Sequence, residues 1–555
     1  MAVLAGCGLV YEYLLSHYAG RVLGVMESTI YTMIGLMIVS MGLGAFAARK
    51  VRCAFNGFVY LELIIALLGS SAILFIGALI AVTQILPHII AELFALPPDM
   101  LPQGGLFNTL SFLAINSPYF FGVILGFFIG MEIPLIARIR EEIHGKHLAN
   151  NLGTIYGADY IGAGLGAAIW VIFLLSIDIS RAAALTASLN LVTGAFFIIR
   201  YWQHLHWRKV FVSLHLLLAL IICLMFNYGN QWLNQMNSLL YLDKVVHVQK
   251  TRYQQLTFTE RSMGLNASNN TFGSEQSSII NFYLNGRLQF SSVDEHIYHD
   301  YLVAPVLAGS ARHDNILIIG GGDGLALRDV LKYSPQSVTL VDLDGELIDI
   351  FQMPDEHLNS DLALKIKNLN KNSLQDNRVT ILRNDAFIAI NKLLTSGQIF
   401  DAIIVDLPDP SHPDLNKLYT VNFYARLKQL LAGDGLIAIQ STSPYHAKSS
   451  FISIGKTLKA ANFAHVQQYH DNVPSFGEWG WTIASKMGAS PLTRLGKLEK
   501  LPVRHSWLNL EILKAAFIFP NDFYKNGDNI DINTLGSHTL YQLHQQAWKD
   551  QQGIK

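Results

Sequence analysis

The feature that most constrains this chain is the uneven spread of its charge. Of the 81 Asp, Glu, Lys and Arg residues among 555, only 21 fall in the first 230 positions, and the other 325 positions hold 60. A bilayer core takes about 20 apolar residues as a helix. Six runs meet that length, at roughly 28–48, 58–83, 113–136, 154–177, 181–199 and 210–228. Residues 1–16 form a seventh, shorter run, a partial span or one that lacks upstream residues. Nothing basic precedes Arg21, as the n-region of a cleaved signal peptide would require. The pattern predicts an α-helical multi-span membrane domain over 1–230, embedded in a lipid bilayer, followed by a soluble part. A net charge of −1 offers no basic face for nucleic acid. Cys7, Cys53 and Cys223 are too scattered for a disulfide framework or a zinc site, and no metal is expected.

Within the apolar part, Gly42, Gly44, Gly162, Gly164 and Gly166 have the small-residue spacing that lets helices approach closely. Glu12, Glu62, Glu132 and Asp159 lie in or beside the spans, where a charge is costly and marks either an internal pair or a path for a cation. Pro134, just after Glu132, is expected to kink its helix. Three basic loops (Arg49, Lys50 and Arg52; Arg138, Arg140 and Lys146; Arg200, Arg208 and Lys209) would face the cytoplasm by the positive-inside rule. The last span then carries the soluble part outside, in conflict with the cytosolic metabolite chemistry argued next.

From 231 to 310 the sequence reads as a small β-strand subdomain: strands at 244–250, 253–260 and 281–290, the strong hairpin signal Asn285-Gly286, and a polar loop at 262–278. From 311 to 520 strands alternate with helices, the pattern of a Rossmann-like doubly wound parallel sheet. Its strands are 315–319, 338–341, 379–382, 402–405 and 436–439, and residues 521–555 read as a polar tail without chemical signal. Polar residues follow each strand: Gly320-Gly321-Gly322-Asp323-Gly324, Asp342, Asp385-Ala386, Asp406-Leu407-Pro408-Asp409-Pro410 and Gln440. Ligands bind at the carboxyl ends of strands in such sheets. A glycine turn followed about 20 residues later by an acid, here Asp342, fits the ribose of a nucleoside. Asp323 in the turn repels pyrophosphate and favours a cationic tail, such as that of decarboxylated S-adenosylmethionine. Asp406 and Asp409 suit a polyamine: one carboxylate takes the proton that an amine of pKa about 10 must lose before it attacks, and the other holds a distal ammonium.

Tyr253-Gln254, Leu284-Asn285-Gly286 with Gln289, Asp294-Glu295 with Tyr298-His299, the glycine loop, Asp385-Ala386, Asp406 to Pro410 and Leu418-Tyr419 together resemble the spermidine synthase (polyamine aminopropyltransferase) family. The resemblance covers about 240–520, and the whole chain looks like the family's membrane-anchored bacterial branch. It implies aminopropyl transfer from decarboxylated S-adenosylmethionine to an amine, most simply putrescine, giving spermidine and methylthioadenosine. It implies that Gln254, Asp323, Asp342, Asp385 and Ala386 bind the donor, Asp406 is the base, and Gln289, Tyr298, Asp409, Tyr419 and Gln440 line the acceptor cleft. His299, Trp479 and Trp481 are read as neighbours or cleft wall.

Two departures stand out. Leu407-Pro408 replaces small hydroxyl residues, and Phe476 stands where a tyrosine is common, so Glu478 is considered as a substitute ammonium contact. Two other functions are weighed: a polyamine-binding transporter or sensor, and an S-adenosylmethionine-dependent methyltransferase. The expected location is the cell (inner) membrane, with the synthase domain in the cytoplasm and a homo-oligomer open by analogy with soluble relatives.

Overall fold

The computed structural model describes residues 1–23, 26–94, 105–144, 148–241, 243–262 and 278–551. The chain divides between Val245 and Val246 into two compact units. The first is helical: α1 (Ala2–Leu23), α2 (Met26–Ala47), α3 (Ala54–Leu93), α4 (Gly105–Gly130), α5 (Glu132–His144), α6 (Leu148–Ile172), α7 (Ile179–Arg200) and α8 (Arg208–Leu240). The helix read at 210–228 therefore continues to Leu240, beyond the expected boundary at 230. Among the described residues six stretches are long and apolar enough to cross a membrane: Thr29–Lys50, Ala54–Ala91, Gly105–Ile143, Gly153–Ser176, Ile179–Arg200 and Arg208–Met236. α1 is not among them, and its Leu4, Val10, Tyr11, Leu14 and Leu15 are buried in the bundle. The expected span 113–136 breaks at Met131, so that Pro134 sits in the first turn of α5, where its missing N–H costs least.

Glycines set two helix contacts. A Cβ on Gly162 of α6 would lie 2.0 Å from the Ala2 carbonyl oxygen of α1, and one on Gly44 of α2 would lie 1.9 Å from that of Phe127 in α4. Gly42 and Gly164 instead face open space, because a step of two residues turns a helical side chain to the other flank. The bundle's outer surface is apolar: Phe46, Ile161, Val192, Phe196, Ile199 and Leu216 are all more than half exposed.

The second unit carries two sheets. The smaller runs β1 (Lys244–Lys250), β2 (Gln255–Ser262), β3 (Ser278–Leu284) and β4 (Arg287–Ser291) in sequence order. The segment 281–290 is a hairpin, closed by the expected turn at Asn285 and Gly286, both at positive φ. Most of the expected polar loop falls outside the described residues. Phe258, Phe282 and Phe290 cluster with Phe351, joining this sheet to the core of the larger one.

The larger sheet has seven strands: β5 (Asn315–Gly320), β6 (Ser337–Asp342), β7 (Val379–Arg383), β8 (Phe400–Asp406), β9 (Leu431–Gln440), β10 (His465–Val473) and β11 (Gly477–Ser485). Their order is β10-β11-β9-β8-β5-β6-β7. β5 to β9 are parallel, and β10 and β11 are antiparallel additions at the edge. The apolar runs Ile316–Ile319 and Ala402–Val405 are excluded from solvent, as central parallel strands covered on both faces must be. The β10–β11 hairpin was not legible as strands, because its aromatic and polar residues do not alternate cleanly. Trp481 on β11 is fully buried between Tyr301 and Tyr469.

Candidate active site

The strand order reverses at β5, which has β6 on one side and β8 on the other. That is the switch point at which the crevice of an open α/β sheet forms. Gly320 pairs with Asp406 across β5 and β8. Its φ is +82°, and a Cβ there would lie 2.0 Å from the Asp406 carbonyl oxygen, so the glycine turn is what brings the two strand ends together.

On the β6 side, Asp342 is held by two backbone donors. Gly322 N–H donates to Oδ2 at 3.0 Å and Asp344 N–H to Oδ1 at 3.0 Å. Burial, helped by the charges of Asp344 and Asp406, pushes its carboxyl up to about 6 against the pull of these two bonds. Asp323, one residue after Gly322, accepts from Leu325 N–H at 2.9 Å, at the start of α10 (Leu325–Leu331). Burial raises it to about 6 as well, against the pull of His299 and with a push from Asp406. Gln254 donates to Asp344 Oδ2 at 2.9 Å, beside Thr251 Oγ1, which donates to the same oxygen at 2.7 Å. The sequence therefore placed Gln254 at this edge of the cleft, but not Asp344 and Thr251, which anchor it.

Asp406 closes the centre. Tyr298, on α9 (Glu295–Gly309), donates its hydroxyl to Asp406 Oδ1 at 2.7 Å, and His299 Nε2 lies 3.9 Å from Oδ2. Burial raises the Asp406 carboxyl, opposed by His299 and by the Tyr298 bond. Behind them runs a buried chain: His299 Nδ1 to Glu295 Oε2 at 2.8 Å, Arg328 to both Glu295 oxygens at 2.7 and 3.1 Å, and Arg328 to Asp329 at 2.9 Å. Burial alone would lower the His299 imidazole; the Glu295 carboxylate and the nearby Asp406 hold it up to about 9. His299 is thus cationic at neutral pH and unsuited to act as a base. Glu295 was read from the sequence only as part of a motif, and Arg328 and Asp329 were missed, because their roles follow only from packing between α9 and α10.

Asp409 sits three residues on. Gln440 Nε2 donates to its Oδ1 at 3.1 Å and to the Leu407 carbonyl at 2.9 Å, while Thr442 Oγ1 donates to Oδ2 at 3.3 Å. Tyr419 donates to the Pro408 carbonyl at 2.9 Å and lies 3.3 Å from Gln440 Nε2. Gln440, Tyr419 and Asp409 therefore form one group around the Asp406–Pro410 turn. Burial pushes the Asp409 carboxyl up, but bonds from His544 and Gln440 and the charge of Arg287 outweigh it and leave it below the ordinary range.

The remaining candidates make bonds of their own. Asp385 caps the helix Ala386–Thr395, accepting from Phe387 N–H at 2.8 Å, and its second oxygen pairs with Lys417 at 2.6 Å. Ala386 is buried at the start of that helix. The Gln289 amide bonds carbonyls of its own strand, at Arg287 and Leu288. Glu478 is paired with His470 across β10 and β11, which corrects the expectation that it substitutes for a missing acceptor contact. Phe476 packs on Trp479 and at the edge of Tyr298, filling with ring surface the place where a hydroxyl was expected.

An open α/β sheet that gathers three carboxylates at its switch point, with a fourth on the adjoining turn, is suited to a cationic ligand. Comparison with known proteins gives the family. The spermine/spermidine synthase domain matches residues 295–495. A polyamine aminopropyltransferase of Shewanella oneidensis is 57% identical over 100% of this chain and 95% of its own length. Polyamine aminopropyltransferase 1 of Streptomyces coelicolor is 30% identical over 98% of this chain and 93% of its own length. A crystal structure of spermidine synthase with the transition-state analogue AdoDATO superposes with a TM-score of 0.42 at 24% identity, covering 52% of this chain and 89% of that one. The chain belongs to the polyamine aminopropyltransferase family. It is an aminopropyltransferase.

Proposed function

We propose that this enzyme passes the aminopropyl group to putrescine, giving spermidine and methylthioadenosine, from a catalytic unit attached to a membrane-embedded helical bundle. The observation that carries the assignment of roles is the Tyr298–Asp406 pair at the switch point between Asp323 and Asp409. Asp342 takes the donor's ribose hydroxyls, Asp323 its terminal ammonium, and Gln254 and Asp385 with Ala386 border its nucleoside end. Asp406, raised by burial and oriented by Tyr298, accepts the proton of the attacking ammonium. The nitrogen lone pair then forms a bond to the methylene beside the sulfonium, the carbon–sulfur bond breaks, and its electron pair stays on sulfur as a neutral thioether. The sulfonium leaves readily, so alignment and proton removal are most of what the protein supplies. Asp409 holds the amine's distal ammonium, within the wall formed by Tyr419, Gln440 and Gln289. Methylthioadenosine release by detergent-purified protein tests this, run with a panel of di- and triamines in wild type and Asp406→Asn. Turnover that is fastest with putrescine and collapses in the variant supports it; preference for another amine, or equal turnover in the variant, overturns it.

Membrane embedding is supported by the six apolar helices and by the apolar outer surface of the bundle. The catalytic unit is placed in the cytoplasm because its substrates are cytosolic metabolites. The three basic loops argue for the opposite side, since an odd number of crossings separates them from residue 240. Reporter fusions after Leu240 and within 201–207 decide the point: activity of a cytoplasmic reporter at the former sustains this placement, and its silence overturns it.

A further inference from the structure

The C-terminal segment carries no motif, yet it is bonded to the acceptor side of the site. Asn533 is fully buried, and its Nδ2 donates to the carbonyls of Asn416 and Tyr419 at 3.1 and 3.2 Å. Its Oδ1 accepts from Leu540 N–H at 3.4 Å, and its own N–H donates to Thr457 Oγ1 at 3.0 Å. Asn416 in turn donates to the Ser537 carbonyl at 2.8 Å. These bonds seat the helix Thr539–Gln551 and turn His544 inward, where it is 1% exposed with Nε2 at 3.3 Å from Asp409 Oδ2.

A carboxylate offers about four lone-pair sites. On Asp409, Thr442 and His544 both approach Oδ2, and Gln440 takes one position on Oδ1. Among the described residues no other donor is bonded to Oδ1, although the charge of Arg287 lies nearby, which leaves one position there for an incoming ammonium. We propose that His544, contributed by the C-terminal helix, is a specificity-determining residue of the acceptor subsite, which blocks one oxygen of Asp409 and so confines the amine's distal ammonium to the other. This rests on the reading of Asp409 as the amine-binding acid. With the proton acceptor at Asp406 and a single ammonium position at Asp409, the span between an acceptor's two nitrogens is set. Removing the imidazole opens Oδ2 and admits amines of other lengths.

The test uses the full chain in detergent, with Asp409→Asn, His544→Ala and His544→Gln, and 1,3-, 1,4- and 1,5-diaminoalkanes as acceptors. The KM for each amine, the KM for the sulfonium donor and the melting temperature are measured. For His544→Ala the KM of the preferred diamine rises about tenfold, the scale of one lost hydrogen bond to a charged group. The preference over the other diamines narrows, and the donor KM stays within about twofold. His544→Gln, which keeps a donor, restores most of the preference. An unchanged diamine preference in a folded His544→Ala or His544→Gln overturns the proposal, as does an equal rise in donor and amine KM. Asp409→Asn separates the two readings. If its amine KM is unchanged, Asp409 is not the amine binder; if that KM rises while the His544 variants behave as wild type, only the role of His544 falls.

Discussion

In the helical unit Glu62 and Glu132 are 1% and 2% exposed, and Asn190 donates to Glu62 Oε2 at 3.1 Å. Among the described residues no donor reaches the second oxygen of Glu62 or Glu132 Oε1. In the α/β unit each buried acid of the site is held by donors: Asp342 by two backbone N–H groups, Asp323 by one, Asp406 by Tyr298, and Asp409 by Gln440, Thr442 and His544. Burial is common to both sets; what differs is the number of donors, one on Glu62 against two on Asp342 and three on Asp409. An acid that must act on a substrate has to be ionisable and aimed, and hydrogen bonds supply the aim. Burial alone does not mark a catalytic carboxylate.

Substitutions separate the two sets, and the largest effect is expected at Asp406. Asp406→Asn removes the proton acceptor and lowers turnover by about 10³-fold, within the range of general-base catalysis, measured as methylthioadenosine release at saturating substrates. A loss of less than tenfold would place the base elsewhere. Asp342→Asn keeps the shape but loses charge-assisted bonds to the ribose, so the donor KM rises about 30-fold with amine KM little changed. Isothermal titration with the donor alone checks this without turnover.

A smaller effect is set by pH. Asp323 and Asp342 lie near 6 and must be ionised to hold an ammonium and a ribose. Both are acids raised above the ordinary carboxylate value, so protonation begins as pH falls toward 6. The kcat/KM for the donor should be flat above about pH 7 and drop at least tenfold per unit below about pH 5.5. A profile flat to pH 5 would show that neither charge is needed. The smallest effect is expected at Glu132→Gln, far from any aimed donor: aminopropyl transfer unchanged within about twofold, and the melting temperature level or higher, since a buried acid with a partnerless oxygen loses a costly ionisation. Loss of transfer in that variant would erase the contrast between the two units.

Much of the catalytic unit was legible because a parallel sheet puts its ligand-facing residues at strand ends. Asp323, Asp342, Asp406 and Gln440 each follow a run of apolar residues, and their shared crevice follows from that register. Asp409 was found from its spacing to Asp406 on the turn after a strand, and Tyr419 through motif resemblance. His544 was not found, because a side chain is assigned to a site from sequence only when its neighbours in the chain are already there; Thr442, two residues after Gln440 and at φ +61°, was not found either. The same reason hid the His299–Glu295–Arg328 chain. In the other direction, Glu478 looked free to meet an ammonium until the β10–β11 pairing set it beside His470.

The sequence by itself determined that an apolar, helical part precedes an α/β part and that acids follow successive strands, since both are written in local periodicity and composition. Only the tertiary structure decided which oxygens of those acids are occupied, which glycines meet another helix, and that the last helix reaches Asp409. Those outcomes depend on contacts between residues far apart in the chain, 135 positions for His544 and Asp409, and no local pattern encodes a distance of that kind.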